Sequence, residues 1–292
     1  MQSLQPYIQL IQQLYPDLSV TSATGIAHGQ NNLVLLINET LIFRFPKYAE
    51  GIQILWRETA LLQQIQPYIT LAIPCPTFIN LADQEVGRAF VGYPLIAGEP
   101  LSRERFAALQ HPATRTTLAQ QLGNFLTQLH HVPLSTALAS LLPRYDTAAQ
   151  WSEIYQRIRT QLVPQMRRAA QARVVQHFEA FLSEPSHFAY TPVLKHGDFG
   201  TSNILYDATR RAICGVIDFS GAGVGDPAYD FAGLLSSYGP AFVRSLAQSY
   251  AGLDALWERI SFYQGTFGLL EALFGLERGD KEAYESGMAA YW

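Results

Sequence analysis

The sequence predicts an α+β chain with a small β-rich N-terminal lobe and a larger, mainly helical C-terminal lobe. Three observations carry this expectation. Positions 20–45 read as a β-meander, the chain from position 102 onward is helical in pattern apart from one segment, and 292 residues exceed one small domain. A two-lobed chain with one shared cleft follows, with lobes at 1–96 and 97–292.

Leu4, Ile8, Ile11 and Leu14 recur at helical spacing until Pro16 stops the pattern, so the chain opens on an amphipathic helix. One strand then runs to Ala27, a polar turn spans His28, Gly29, Gln30, Asn31 and Asn32, and a second strand covers 33–37. After a turn at Asn38-Glu39 a third strand runs over 40–45. By the period of two, Leu41, Phe43 and Phe45 face one way on it, and Ile42 and Arg44 the other. A helix over 51–66 follows, then Pro74-Cys75-Pro76, then strands at 77–81 and 85–93. Leu118, Leu122, Phe125 and Leu129 mark a helix with one buried face, and His130 and His131 at its end read as dipole-favoured cap residues. Two helices interrupted near Pro164 occupy 145–184, with their arginines on a solvated face. The last long helix spans 253–274, with Trp257, Phe262, Phe267 and Leu273 buried.

The exception within the helical half is 193–232, VLKHGDFGTSNILYDATRRAICGVIDFSGAGVGDPAYDFA. It reads as short strands at 193–195, 203–206 and 213–217 with polar groups at their ends. Asp198 and Asn203 stand five residues apart, the spacing at which a catalytic loop offers a carboxylate to a hydroxyl and an amide oxygen to Mg²⁺. Asp218 ends the third strand and precedes Phe219, as in the metal-binding Asp-Phe-Gly of kinases, with Ser220 in place of the glycine. Any one strand-end aspartate alone is a turn residue; the joint spacing is what points to chemistry. Asp226 is read as a helix N-cap, with Pro227 at the first helical position.

HGDFGTSNILYD followed by GVIDFSGAGVGDPAYDFA resembles the aminoglycoside phosphotransferase family. With LIFRFPK at 41–47 and FVGYPLIAGEPL at 90–101 the likeness covers most of the chain and points to the 2″-phosphorylating branch. The resemblance implies a protein-kinase-like fold, with Asp198 as catalytic base and Asn203 and Asp218 as Mg²⁺ ligands. It also implies ATP or GTP as phosphoryl donor. Arg44 with Glu58 matches the pair that grips the phosphates in kinases, where a lysine is usual; Lys47 is the rival for that grip. Backbone around Gly29 and Asn31 is expected to approach the phosphates, although the glycine-rich pattern is reduced to Gly25 and Gly29. The hinge position gives Pro94 C=O and Ile96 N–H to the purine edge. A polycationic acceptor needs a carboxylate on the C-terminal lobe, for which Glu271 is preferred over Glu277 and Asp280. His196 is expected to anchor its loop through backbone hydrogen bonds.

Composition narrows the remaining classes. A formal charge of −4 with scattered basic residues gives no nucleic-acid footprint and no polybasic membrane patch. The two cysteines form no Cys-x-x-Cys, and the N-terminus has no secretory pattern, so a cytoplasmic monomer with reduced thiols is expected. The partners are a nucleoside triphosphate and a small hydroxyl acceptor. An aminoglycoside-like antibiotic leads, with a macrolide, choline, homoserine or sugar kinase, or a nucleotide-binding pseudokinase, as alternatives.

Overall fold

Strand alternation and a tight turn build the first sheet. The computed structural model describes residues 3–26 and 31–292. Along the chain come α1 (Gln5–Leu14), β1 (Ala23–Ile26), β2 (Asn32–Ile37), β3 (Leu41–Pro46), α2 (Ala49–Ile65), β4 (Phe78–Asn80), β5 (Phe90–Pro94) and β6 (Glu99–Pro100). Helices α3 (Arg103–Ala107), α4 (Pro112–His130), α5 (Thr136–Leu141), α6 (Ala148–Gln161) and α7 (Arg168–Leu182) follow. Then come β7 (Val193–Lys195), β8 (Ile204–Asp207), β9 (Ala212–Val216) and β10 (Gly223–Gly225), and finally α8 (Ala228–Tyr238), α9 (Pro240–Ser245), α10 (Trp257–Arg278) and α11 (Lys281–Met288). Among the described residues no helix is long and apolar enough to cross a membrane.

The chain divides into two compact units, Met1–Ser102 with Ser202–Ala222, and Arg103–Thr201 with Gly223–Trp292. In the first, five antiparallel strands lie in the order β1-β2-β3-β5-β4. Residues 38–40 connect β2 to β3: Asn38 and Glu39 both take positive φ, 52° and 58°, and the Thr40 amide donates to Ile37 C=O at 3.1 Å, which closes a tight turn and sets Ile37 opposite Leu41. Alternation on β3 is as the sequence predicts. Phe43 and Phe45 pack with Leu10 and Ile11 of α1 and with Phe90, while Ile42 turns to Ile52 and Leu55 of α2. Truncating either phenylalanine to Ala would cost about 3–5 kcal/mol. Gly92 on β5 makes room for that core, since a Cβ there would lie 2.6 Å from the Phe43 ring.

Two differences from the sequence reading have local causes. The strand expected at 85–93 begins only at Phe90, because Asp83 accepts from the Glu85 amide (3.1 Å) and from Arg88 Nε (2.6 Å) and Gly87 takes φ +87°, which turns the chain. Residues 202–222, assigned to the C-terminal lobe by the cut at 96, belong to the first unit. β8 and β9 form a three-stranded sheet with β6, and the Val216 amide donates to Ala72 C=O at 2.9 Å.

In the second unit the buried face of α4 carries Leu118, Leu122, Phe125, Leu126 and Leu129, and Phe125 stacks on Phe199 at 5.3 Å. α6 starts on a reciprocal cap between Thr147 and Gln150. β7 pairs with β10, setting Lys195 opposite Gly223. α10 buries Phe262 and Leu273, whereas Trp257 and Phe267 are half-buried.

Candidate active site

In the first unit three elements converge on one guanidinium. β3 directs Arg44 to the face opposite its phenylalanines, towards α2, where Glu58 stands buried. Arg44 Nη1 donates to both Glu58 oxygens, at 2.8 and 2.9 Å, and Nη2 makes a longer contact of 3.4 Å to Asp218 Oδ1. The Phe219 amide donates to Glu58 Oε1 at 2.9 Å, so the glutamate is fixed from both sides. Burial alone would lower the pKa of Arg44, but Glu58, Tyr93 and Asp218 raise it above its ordinary value. Burial pushes the Glu58 carboxyl up, and Arg44 opposes it. The proton therefore stays on the arginine.

Asp218, two residues beyond the end of β9, takes left-handed backbone geometry, φ 61° and ψ 74°. Its side chain is 42% exposed, against 9% for Arg44 and 1% for Glu58, so the aspartate is the member of the trio that a ligand can reach. Ser220 stands where kinases have glycine, inside a short 3₁₀ turn whose backbone does not require a positive φ. Asn203 precedes β8 and is buried; the Ile217 amide donates to its C=O at 2.9 Å, which sets Asn203 one residue from Asp218 across the strand pair.

The remaining first-unit candidates are spread more widely. Gly29 lies outside the described residues. Asn31 is exposed and its C=O accepts from the Lys47 amide at 3.0 Å; Lys47 is exposed beyond the end of β3. Along β5 the Leu95 amide donates to Thr40 C=O and Gly92 C=O accepts from the Thr77 amide on the opposite side. By strand alternation Pro94 C=O points the same way as that of Gly92, away from β3 and past the end of β4. Ile96 packs its side chain over Gly215, where a Cβ would lie 2.6 Å from it.

In the second unit the loop after β7 presents Asp198 at an exposed position. Asp230, in the first turn of α8, accepts from the amides of His196 (2.8 Å) and Gly197 (2.9 Å), and Gly197 takes φ +81°. The Asp198 amide donates to His196 Nδ1 at 3.3 Å, so His196 is a loop anchor. Asp230 also bonds His130 Nε2 at 3.1 Å, and His130 Nδ1 lies 2.9 Å from the Tyr250 hydroxyl. His130 is thus a buried link in this network and not the dipole-favoured cap that the sequence suggests. Burial would raise the Asp230 carboxyl, yet the bond and charge of His130, with those of His196, hold it below its ordinary range. Asp226 accepts from the Ala228 amide at 2.9 Å, as a helix-start residue does, and also pairs with Arg259 Nε (2.7 Å) and the Tyr263 hydroxyl (3.0 Å).

Glu271 is exposed on α10. Its rivals are engaged elsewhere. Glu277 pairs with Arg157, and Asp280 caps α11 by accepting from the Ala283 amide at 3.1 Å. Sequence reasoning missed Asp230, Lys195 and Asp146. Asp230 could have been found from its position four residues after Asp226, on the same face of a helix start; Lys195 is a charge inside an apolar strand; Asp146 left no local signal.

Viomycin phosphotransferase of Streptomyces vinaceus is 31% identical over 199 residues, 67% of either chain. The GDP and kanamycin complex of APH(2")-IIia superposes with TM-score 0.89 at 27% identity, over 99% of this chain and 97% of that one. The GDP complex of wild-type aminoglycoside 2'-phosphotransferase-IIIa gives 0.91 at 26%, again over 99% and 97%. The α+β, kinase-like fold is therefore common to this chain and these two solved structures. Residues 22–263 match the Phosphotransferase enzyme family across most of the chain, and this chain belongs to that family and is a phosphotransferase enzyme.

Proposed function

We propose that the chain transfers the γ-phosphoryl group of ATP or GTP to a hydroxyl of an aminoglycoside-like antibiotic. The observation that carries this reading is the joint hold of Arg44 on Glu58 and Asp218, in a chain that also presents Asp198 on a loop anchored by Asp230. Nucleotide binding is assigned to 1–96, to which 202–222 adds its metal ligands, and acceptor binding and catalysis to 97–292.

Mg²⁺ fits the donor set of the first unit. Asn203 and Asp218 offer an amide oxygen and a carboxylate, hard donors of the kind this ion takes, and few enough to leave places for water and phosphate oxygens. When bound, the metal neutralises charge on the phosphates. Arg44 fixes Asp218 beforehand, and its planar fork, anchored on Glu58, steadies the phosphate side of the site. Asp198 orients the acceptor hydroxyl and takes its proton as oxygen bonds to the γ-phosphorus and the nucleoside diphosphate leaves. Pro94 C=O and Ile96 N–H are assigned to the purine edge, and backbone at Gly29 and Asn31 to the phosphates. Glu271, exposed and without the engagements of Glu277 and Asp280, is assigned to an ammonium group of the acceptor.

The kanamycin present in one structural neighbour supports an aminoglycoside acceptor. A second reading, viomycin as acceptor, is supported by the relative at 31% identity. A nucleotide-consumption screen over aminoglycosides, viomycin, a macrolide, choline, homoserine and sugars separates them. We expect turnover with an aminoglycoside, and Asp198→Asn to lower kcat by about 10²-fold or more while nucleotide binding persists. Near-normal turnover in that variant would remove Asp198 from its role. Consumption with neutral acceptors alone would change the substrate class.

A further inference from the structure

Lys195 ends β7 and immediately precedes His196-Gly197-Asp198. Its ammonium is buried, 2.6 Å from Asp146 Oδ2, 3.6 Å above the ring centroid of Tyr229 and 4.9 Å from that of Tyr145. Asp146 is held in turn: its backbone takes φ +63°, its C=O accepts from the Tyr190 hydroxyl at 2.7 Å, and its carboxylate accepts from the Asp226 amide at 3.3 Å. The opposite strand leaves room for the assembly. A Cβ on Gly225 would lie 2.4 Å from Asp146 Oδ2, and one on Gly223 would lie 2.5 Å from the Tyr145 ring. A buried ion pair is often no more stabilising than apolar residues of equal volume, so stability alone does not account for this arrangement.

Its place in the chain does. Consecutive residues in the first turn of α8 hold consecutive residues of the loop: the Tyr229 ring covers Lys195, and Asp230 takes the amides of His196 and Gly197. The next residue is Asp198, whose amide rests on His196. Burial, with the negative charges of Asp146, Asp198 and Asp230, pushes the Tyr229 phenol above its ordinary range, so Tyr229 and Asp198 share one electrostatic neighbourhood.

We propose that Lys195, Asp146 and Tyr229 form a brace of buried charge and aromatic ring that sets where Asp198 stands, which makes them positioning residues for phosphoryl transfer. The proposal rests on the reading of Asp198 as the base. Lys195→Met alone strands Asp146 as a buried charge, so it is combined with Asp146→Asn; Tyr229→Leu removes the ring and leaves both charges in place. For Tyr229→Leu and for Lys195→Met/Asp146→Asn we expect kcat to fall about 10²-fold, the scale of an ångström of misplacement at a reacting group, with the KM for nucleotide unchanged. Tyr229→Phe keeps the ring face and recovers most of what Tyr229→Leu loses. In an Asp198→Asn background the same substitutions lower kcat no further, because they act through that carboxylate. Hydrogen exchange at the amides of His196, Gly197 and Asp198 becomes faster in Tyr229→Leu, whatever chemistry Asp198 performs. Wild-type kcat in both variants, unchanged exchange, or a loss that persists undiminished in Asp198→Asn overturns the brace. Full activity of Asp198→Asn itself would instead remove the base assignment, and the exchange measurement would still decide whether the loop is braced.

Discussion

Arg44 holds two carboxylates at once, so replacing it disturbs both. Arg44→Ala leaves Glu58 buried and uncompensated, and Glu58→Ala leaves the guanidinium in the same condition; each is expected to cost about 3–5 kcal/mol by urea unfolding. The double variant should cost clearly less than the sum, since the second deletion removes the charge that the first had stranded. Additive losses would show two independent sites. Arg44→Lys keeps the charge, but one ammonium cannot reproduce the fork that meets both Glu58 oxygens and Asp218, so kcat/KM should fall to a value between wild type and Arg44→Ala. Full activity in Arg44→Ala would transfer the role to Lys47. Arg44 and Glu58 were legible as partners because period two fixes the face of β3 and the helix that follows offers one glutamate to that face. The contact from Arg44 to Asp218 was not, since it joins residues far apart in the chain and no local pattern records it.

At the scale of elements, the first turn of α8 organises the second unit. Asp226 ties it to α10 through Arg259 and Tyr263, Tyr229 covers Lys195, and Asp230 joins α4 to the loop of Asp198 through His130 and the two amides. Because the folded Asp230 carboxyl is held below its ordinary range, its stabilising effect is complete above the unfolded value of about 3.9 and is lost as pH falls through the folded value. Asp230→Asn should therefore lower stability at neutral pH by about 3 kcal/mol and flatten the fall in stability below about pH 4. An acid limb as steep as in wild type would place the titrating group elsewhere. The strands and helices around this turn were readable from periodicity and from Pro227. The roles of its side chains were not. His130 looked like a cap because its partners, Asp230 and Tyr250, come from much later in the chain, and β5 was started too early because an apolar-polar alternation does not reveal the turn that Asp83 imposes.

For the whole molecule, a formal charge of −4 gives a polycationic acceptor a favourable field, and under the proposed assignment the exposed carboxylate of Glu271 on α10 is the local end point of that field. Exposure also limits how much one such contact contributes, because solvent and salt screen it. The effect should therefore appear in binding and not in the chemical step. With an aminoglycoside, Glu271→Gln is expected to raise KM a few-fold with little change in kcat, since the carboxylate meets substrate and transition state alike. Raising ionic strength beyond 0.1 M, where the Debye length is about 10 Å, should raise the wild-type KM in the same sense and narrow the gap between the two enzymes. Nucleotide KM provides the internal comparison, because Asp198→Asn and Glu271→Gln then separate a loss of chemistry from a loss of acceptor binding. A KM indifferent to salt, together with a neutral hydroxyl acceptor turning over faster than any aminoglycoside, would sink the cationic reading and leave a kinase for an uncharged substrate.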